Sequence, residues 1–154
     1  MGRKVTALDV AKFFFAACDE DSGDLISNMK MQKLVYYAQG VHLAMTGERL
    51  FDEDIMAWLH GPVVRSLYNE LKKFGSGAVE LDLKGFDFKI FTPKQREILE
   101  DVYNVFGQFS AWALSGKTHN EPPYQIAAKN GVSAGDNSVI SDESMRDYFK
   151  TQLT

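Results

Sequence analysis

The apolar positions of the chain follow two periods. Val10, Phe13, Phe14 and Ala17 recur at three- and four-residue intervals, the spacing of one helix face. Thr6, followed three residues later by Asp9, supplies a capping start, and Asp19-Glu20-Asp21 with Gly23 supplies the end. Ser27 caps a longer helix in which Met31, Leu34, Val35, Ala38, Val41, His42 and Met45 trace one face before Gly47 closes it. Gly40 interrupts that helix at a cost of about 1 kcal/mol relative to alanine. A second backbone is therefore expected close by, with the first helix as the expected neighbour.

Beyond Gly47 the period shortens. In "ERLFDEDIMAWLHGP", Ile55, Ala57 and Leu59 alternate with Met56, Trp58 and His60, as in a short strand. Gly61 and Pro62 fit an N-cap and a first helical position, so a third helix is expected through Val63, Val64, Leu67, Tyr68 and Leu71 to Gly75. Val79-Leu81-Leu83 and Phe86-Phe88-Ile90 alternate on either side of Lys84-Gly85, which predicts a two-stranded ribbon pairing with the strand near Trp58. Thr92-Pro93-Lys94-Gln95 opens a helix with Ile98, Leu99, Val102, Val105 and Phe106 on one face, reaching Gly107. Ser110 opens a short helix, Ala111 to Ser115, and Asn120-Glu121-Pro122 opens another from Pro123 to Ala128, stopped by Gly131. "NGVSAGDNS" is loop-like, and a last helix begins at Ser141 or Asp142 with Met145, Tyr148, Phe149 and Leu153 inward. The expected class is α+β and mainly α: a compact helical domain with a small antiparallel β element, residues 1–154 forming a single domain.

Charge and composition narrow the function. A net charge of −4 gives no basic face for phosphates, so no direct nucleic-acid partner is expected. No apolar run is long enough to span a membrane, and Asp9 and Lys12 interrupt the apolar N-terminal stretch as a retained helix would require, which points to the cytoplasm. Cys18 is the single cysteine, so an internal disulfide and a thiolate-rich metal site are both excluded, and a reducing compartment fits. His42, His60 and His119 stand outside metal-ligand spacing, and neither a metal nor another cofactor is expected. Cys18 lacks an activating context, Asp19-Glu20-Asp21 and Asp52-Glu53-Asp54 resemble solvated turns, and Gly75-Ser76-Gly77 lacks the Lys-Ser or Lys-Thr of a phosphate loop. The chain is not expected to be an enzyme. What stands out is an amphipathic set, Tyr36, Tyr37, Trp58, Tyr68, Trp112 and Tyr124 with Arg65, of the kind that serves either interfaces or the edges of cores.

One long block carries a family likeness: Lys30, Gln32-Lys33-Leu34, Tyr36-Tyr37-Ala38-Gln39, Leu43, Gly47, Leu50-Phe51, Ala57-Trp58 and Gly61-Pro62-Val63-Val64, then Tyr68. A shorter one follows, with Leu114-Ser115, Thr118-His119 and Glu121-Pro122; Pro123-Tyr124 stands where a tryptophan is usual. The chain resembles the Panacea domain family of antitoxins and prophage-associated proteins. The resemblance implies an antitoxin of a bacterial toxin–antitoxin system that neutralises a cognate toxin by direct protein–protein contact. Its alternatives are a proteolytic adaptor delivering the toxin to a ClpXP-type protease and a prophage-encoded protein modulating host physiology. A small hydrolase or metal enzyme using His60 or His119 is the reading from another class. The partner-binding candidates are Trp58, His60, Arg65 and Tyr68 around the strand-to-helix corner, with Tyr37 on the flank of the second helix.

Overall fold

The computed structural model describes residues 3–18, 25–129 and 138–153. Asp19, Glu20, Asp21, Gly23, Gly131 and most of "NGVSAGDNS" lie outside that range. Seven helices are present among the described residues: α1 (Ala7–Ala17), α2 (Asn28–Thr46), α3 (Arg65–Leu71), α4 (Pro93–Phe106), α5 (Ala111–His119), α6 (Pro122–Ala128) and α7 (Asp142–Gln152). The sheet is a two-stranded antiparallel hairpin, β1 (Met56–Trp58) and β2 (Gly61–Val63), with Met56 opposite Val63 and Trp58 opposite Gly61. The architecture is mainly helical with a small β element, as the patterning predicts.

The helix starts follow from local chemistry. Thr6 with Asp9 and Thr92 with Gln95 form reciprocal capping boxes, and the Ser27 hydroxyl accepts from the Lys30 N–H. Gly47 ends α2 in the left-handed region at φ 79°. α5 runs on past Ser115 to His119, with Gly116 inside it.

α2 is the centre of the fold, packed against α1, α4, α5, α7 and β2. The expected single apolar face understates it, because Asn28, Lys30, Gln32, Lys33, Gln39 and His42 are buried along with Met31, Leu34, Val35 and Ala38. Buried polar groups need partners, and these find them in the loops around the helix. Gln39 accepts from the Leu50 and Phe51 N–H groups and donates to the Phe51 carbonyl, while His42 Nδ1 lies 2.7 Å from the Glu48 carbonyl. Lys30 Nζ donates to the Gly107 carbonyl at 2.6 Å, and Gln32 accepts from the Val64 N–H at 2.9 Å. α2 thus works as a mast whose polar side chains tie down the chain on either side.

Three local expectations give way. Gly40 faces the ring of Phe149 on α7, not the backbone of α1. A Cβ there would collide with that ring, so Gly40→Ala is expected to destabilise by about 2 kcal/mol. Thermal unfolding should show a fall of roughly 4–8 °C, with Phe149→Leu recovering part of it in the double variant.

Gly61 and Pro62 are strand residues rather than a helix start. Gly61 sits at φ 116°, outside the extended region an N-cap uses, and α3 begins only at Arg65. Its N-cap is Val64, whose own side chain makes no capping bond.

The expected ribbon at 79–90 is absent. The Val79 N–H donates to the Ile26 carbonyl beside a Ser27–Ala78 bridge. After it, the Asp82 and Asp87 carboxylates accept from the Lys84 and Lys89 N–H groups, turn-forming bonds that compete with a ladder. A turn and a short 3₁₀ segment, Phe88–Ile90, result, and Phe13 of α1 packs edge-on against Phe88 and Phe91. β1 pairs with β2 and, at Met56, with Val139. No helix among the described residues is long and apolar enough to cross a membrane.

Candidate partner-binding site

The hairpin tip is held from beneath by side chains. The Tyr124 hydroxyl donates to the Trp58 carbonyl at 2.7 Å, and His119 Nε2 lies 2.8 Å from the Leu59 carbonyl. The Ser115 hydroxyl donates to the His60 carbonyl at 2.8 Å, and Lys33 Nζ donates to the Pro62 carbonyl at 3.3 Å. Four backbone oxygens of one short hairpin are therefore satisfied by residues from α2, α5 and α6. Gly61 permits this closeness, since a Cβ on it would come within 2.8 Å of Lys33 Cε and 2.9 Å of Thr118 Oγ1.

With its carbonyls bonded from within, the tip exposes the side chains of Leu59 and His60. Trp58, half-buried, meets Tyr68 of α3 edge-on at 5.0 Å between ring centroids. His60 meets Trp112 of α5 edge-on at 6.0 Å, and Trp112 is 71% exposed. Between the tip, the start of α2 and the end of α3 lies a cleft of about 360 Å³ to which Trp58, His60 and Tyr68 all contribute. Arg65, exposed on the first turn of α3, borders a neighbouring depression with Glu53, Asp54 and Asn69.

Tyr37 does not join this surface. It is fully buried, its ring stacks on Phe106 at 3.9 Å, and its hydroxyl donates to Glu121 at 2.9 Å, so direct contact with a partner is closed to it. The expectation failed because a tyrosine on a helix flank looks the same in sequence whether its hydroxyl meets water or a buried carboxylate.

Two buried charges escape a sequence reading. Lys33 is 1% exposed, and burial lowers its amine pKa to about 7; among the described residues no carboxylate lies within ion-pair distance of it. Glu121, 3% exposed at the start of α6, accepts from Tyr36 and Tyr37 of α2. Burial raises its pKa, opposed by the hydroxyls of Tyr37, Tyr36 and Tyr148 and by the charge of Lys117. Both tyrosines on α2 are pushed up in turn, first by burial and then by the carboxylate. The available signal was weak: charged or polar residues at core-facing positions of an otherwise apolar helix.

Both ring nitrogens of His119 face carbonyl oxygens, those of Ser115 and Leu59. Among the described residues no three or more His, Cys, Asp or Glu side chains group as metal ligands would. What the surface offers is aromatic edges on a fixed backbone.

Residues 31–125 match the family described as "Antitoxin SocA-like, Panacea domain". The chain is 30% identical over 138 residues to antitoxin SocA of Caulobacter vibrioides, an alignment covering 82% of this chain and 73% of that relative. No solved structure matches it. The matched stretch contains Tyr36, Tyr37 and Glu121 and every side chain that holds the hairpin tip.

Proposed function

Because the chain belongs to the SocA-like Panacea domain family of antitoxins, we propose that it neutralises a cognate toxin by direct protein–protein binding, without catalysis of its own. The observation that carries the reading is the clamped hairpin tip: Trp58, His60 and Tyr68 converge on one cleft from a backbone fixed on its inner side. Half-buried aromatics on a rigid support are the residues from which interfaces draw most of their affinity, at small entropic cost. Arg65 and the exposed Trp112 flank them as rim contacts.

The test begins with the neighbouring reading frame, expressed alone and together with this chain. Growth arrest by the first and rescue by the second are expected. Trp58→Ala and Tyr68→Ala should each weaken toxin binding about 10- to 100-fold, measured by calorimetry on the purified pair, with smaller losses for His60→Ala and Arg65→Ala. Undiminished rescue by a chain carrying all four substitutions would place the interface elsewhere. Rescue should persist in cells lacking a ClpXP-type protease; loss of rescue there, with the toxin accumulating, would make the chain a delivery adaptor instead.

A further inference from the structure

The cleft beside the hairpin tip is walled by Met29, Trp58, Val63 and Tyr68, and among the described residues the only ionisable side chains at it besides Tyr68 are Lys33, His60 and Lys72. Among the described residues no aspartate or glutamate lines it, although the chain carries a net charge of −4. Lys33 Nζ has three N–H donors, of which one goes to the Pro62 carbonyl at 3.3 Å. Lys72 is exposed at the rim.

We propose that this cleft receives the carboxylate of an aspartate or glutamate side chain carried on an apolar segment of the partner, with Lys33 and Lys72 as its counter-charges. The proposal rests on the reading of the hairpin tip as the toxin-facing surface and adds the chemistry of what it grips. Desolvating two charges is what usually cancels the gain of a buried ion pair. Here the Lys33 amine is already out of water in the folded chain, so an incoming carboxylate restores the proton that burial disfavours without any further desolvation of the lysine. The walls select what carries the anion: a phosphate or a nucleic-acid backbone would leave the open faces of Met29 and Trp58 uncovered, whereas a leucine or phenylalanine beside the acid would cover them.

Three peptides test this against the intact protein by amide chemical shifts: N-acetyl-leucyl-glutamyl-phenylalanine amide, its glutamine counterpart, and the glutamine peptide with a free terminal carboxylate. The glutamate peptide should shift Met29, Gln32, His60, Lys72 and the Trp58 indole, and bind at least tenfold tighter than the neutral one. Lys33→Met should abolish the preference. Lys72→Glu, at an exposed position that leaves folding untouched, should weaken the glutamate peptide at least tenfold. Equal binding of the glutamate and glutamine peptides, shifts elsewhere, no binding, or preference for the terminal acid would each overturn the proposal. Growth rescue separates the two ideas. If the unaltered chain rescues while the peptides show no glutamate preference, only the occupant is wrong; if it fails to rescue, the antitoxin reading falls whatever the peptides do.

Discussion

Replacing Glu121 with alanine is expected to lower the stability of the fold by about 3–4 kcal/mol, among the largest losses any single substitution here should produce. The carboxylate joins three helices: it stands at the start of α6, accepts from Tyr36 at 3.1 Å and Tyr37 at 2.9 Å on α2, and is reached by Tyr148 of α7. Alanine would leave buried hydroxyls without their acceptor and a void beside the stacked rings of Tyr37 and Phe106. Glu121→Gln keeps one acceptor oxygen and should cost about 1 kcal/mol. Chemical and thermal unfolding of the three proteins would check this, with a fall of roughly 6–16 °C expected for alanine. A loss below that of glutamine would mean that the tyrosines find other partners and that the cluster does not hold the helices together.

Lys33→Met is expected to do something rarer, which is to change sign with pH. The amine titrates near 7 in the folded chain because burial disfavours its charge, against an ordinary value of 10.5. That difference corresponds to about 5 kcal/mol against the protonated form. Below pH 7 both folded and unfolded chains hold the proton, and the penalty is fully present. Between about 7 and 10.5 the unfolded chain binds a proton that the folded chain has released, so stability rises with pH through that window. Methionine removes the penalty but orphans the Pro62 carbonyl, a loss of about 1–3 kcal/mol. The variant should therefore be more stable than the parent by roughly 2–4 kcal/mol at pH 6 and less stable by about 1–3 kcal/mol at pH 10.5, on the same reckoning. Denaturant melts at four or five pH values would show the curves crossing. Parallel curves would mean that Lys33 keeps its charge solvated in the folded state.

What the sequence made legible was local. Thr6, Ser27 and Thr92 announce helix starts because a cap needs only residues within one turn, and the structure places those helices as expected. The corner from Trp58 to Tyr68 was recognisable, and three of its four candidates meet at one cleft. What stayed hidden depends on distant partners. Gly61-Pro62 satisfies the local rule for a helix start, but Ser115, 55 positions from His60, and Lys33, 29 positions from Pro62, hold it as a hairpin. Tyr37 looks like a surface aromatic until Glu121, 84 positions away, takes its hydroxyl. The 79–90 segment alternates well, yet Asp82 and Asp87 divert its N–H groups into turns, and alternation alone does not register that competition.

The notch at Gly40 sets a schedule for synthesis. α2 emerges early, but the ring that fills its notch belongs to α7, and the ion pair that fastens α7 beside it joins Arg49 to Asp142, 93 positions later. At 5–20 residues per second, a ribosome needs roughly 5–20 s to cover that distance. Throughout that interval the mast stands open along one side, and Glu121, once made, lacks one of its three hydroxyls. The Gly40 notch is therefore filled, and the third hydroxyl supplied to Glu121, only after α7 has been released and has docked.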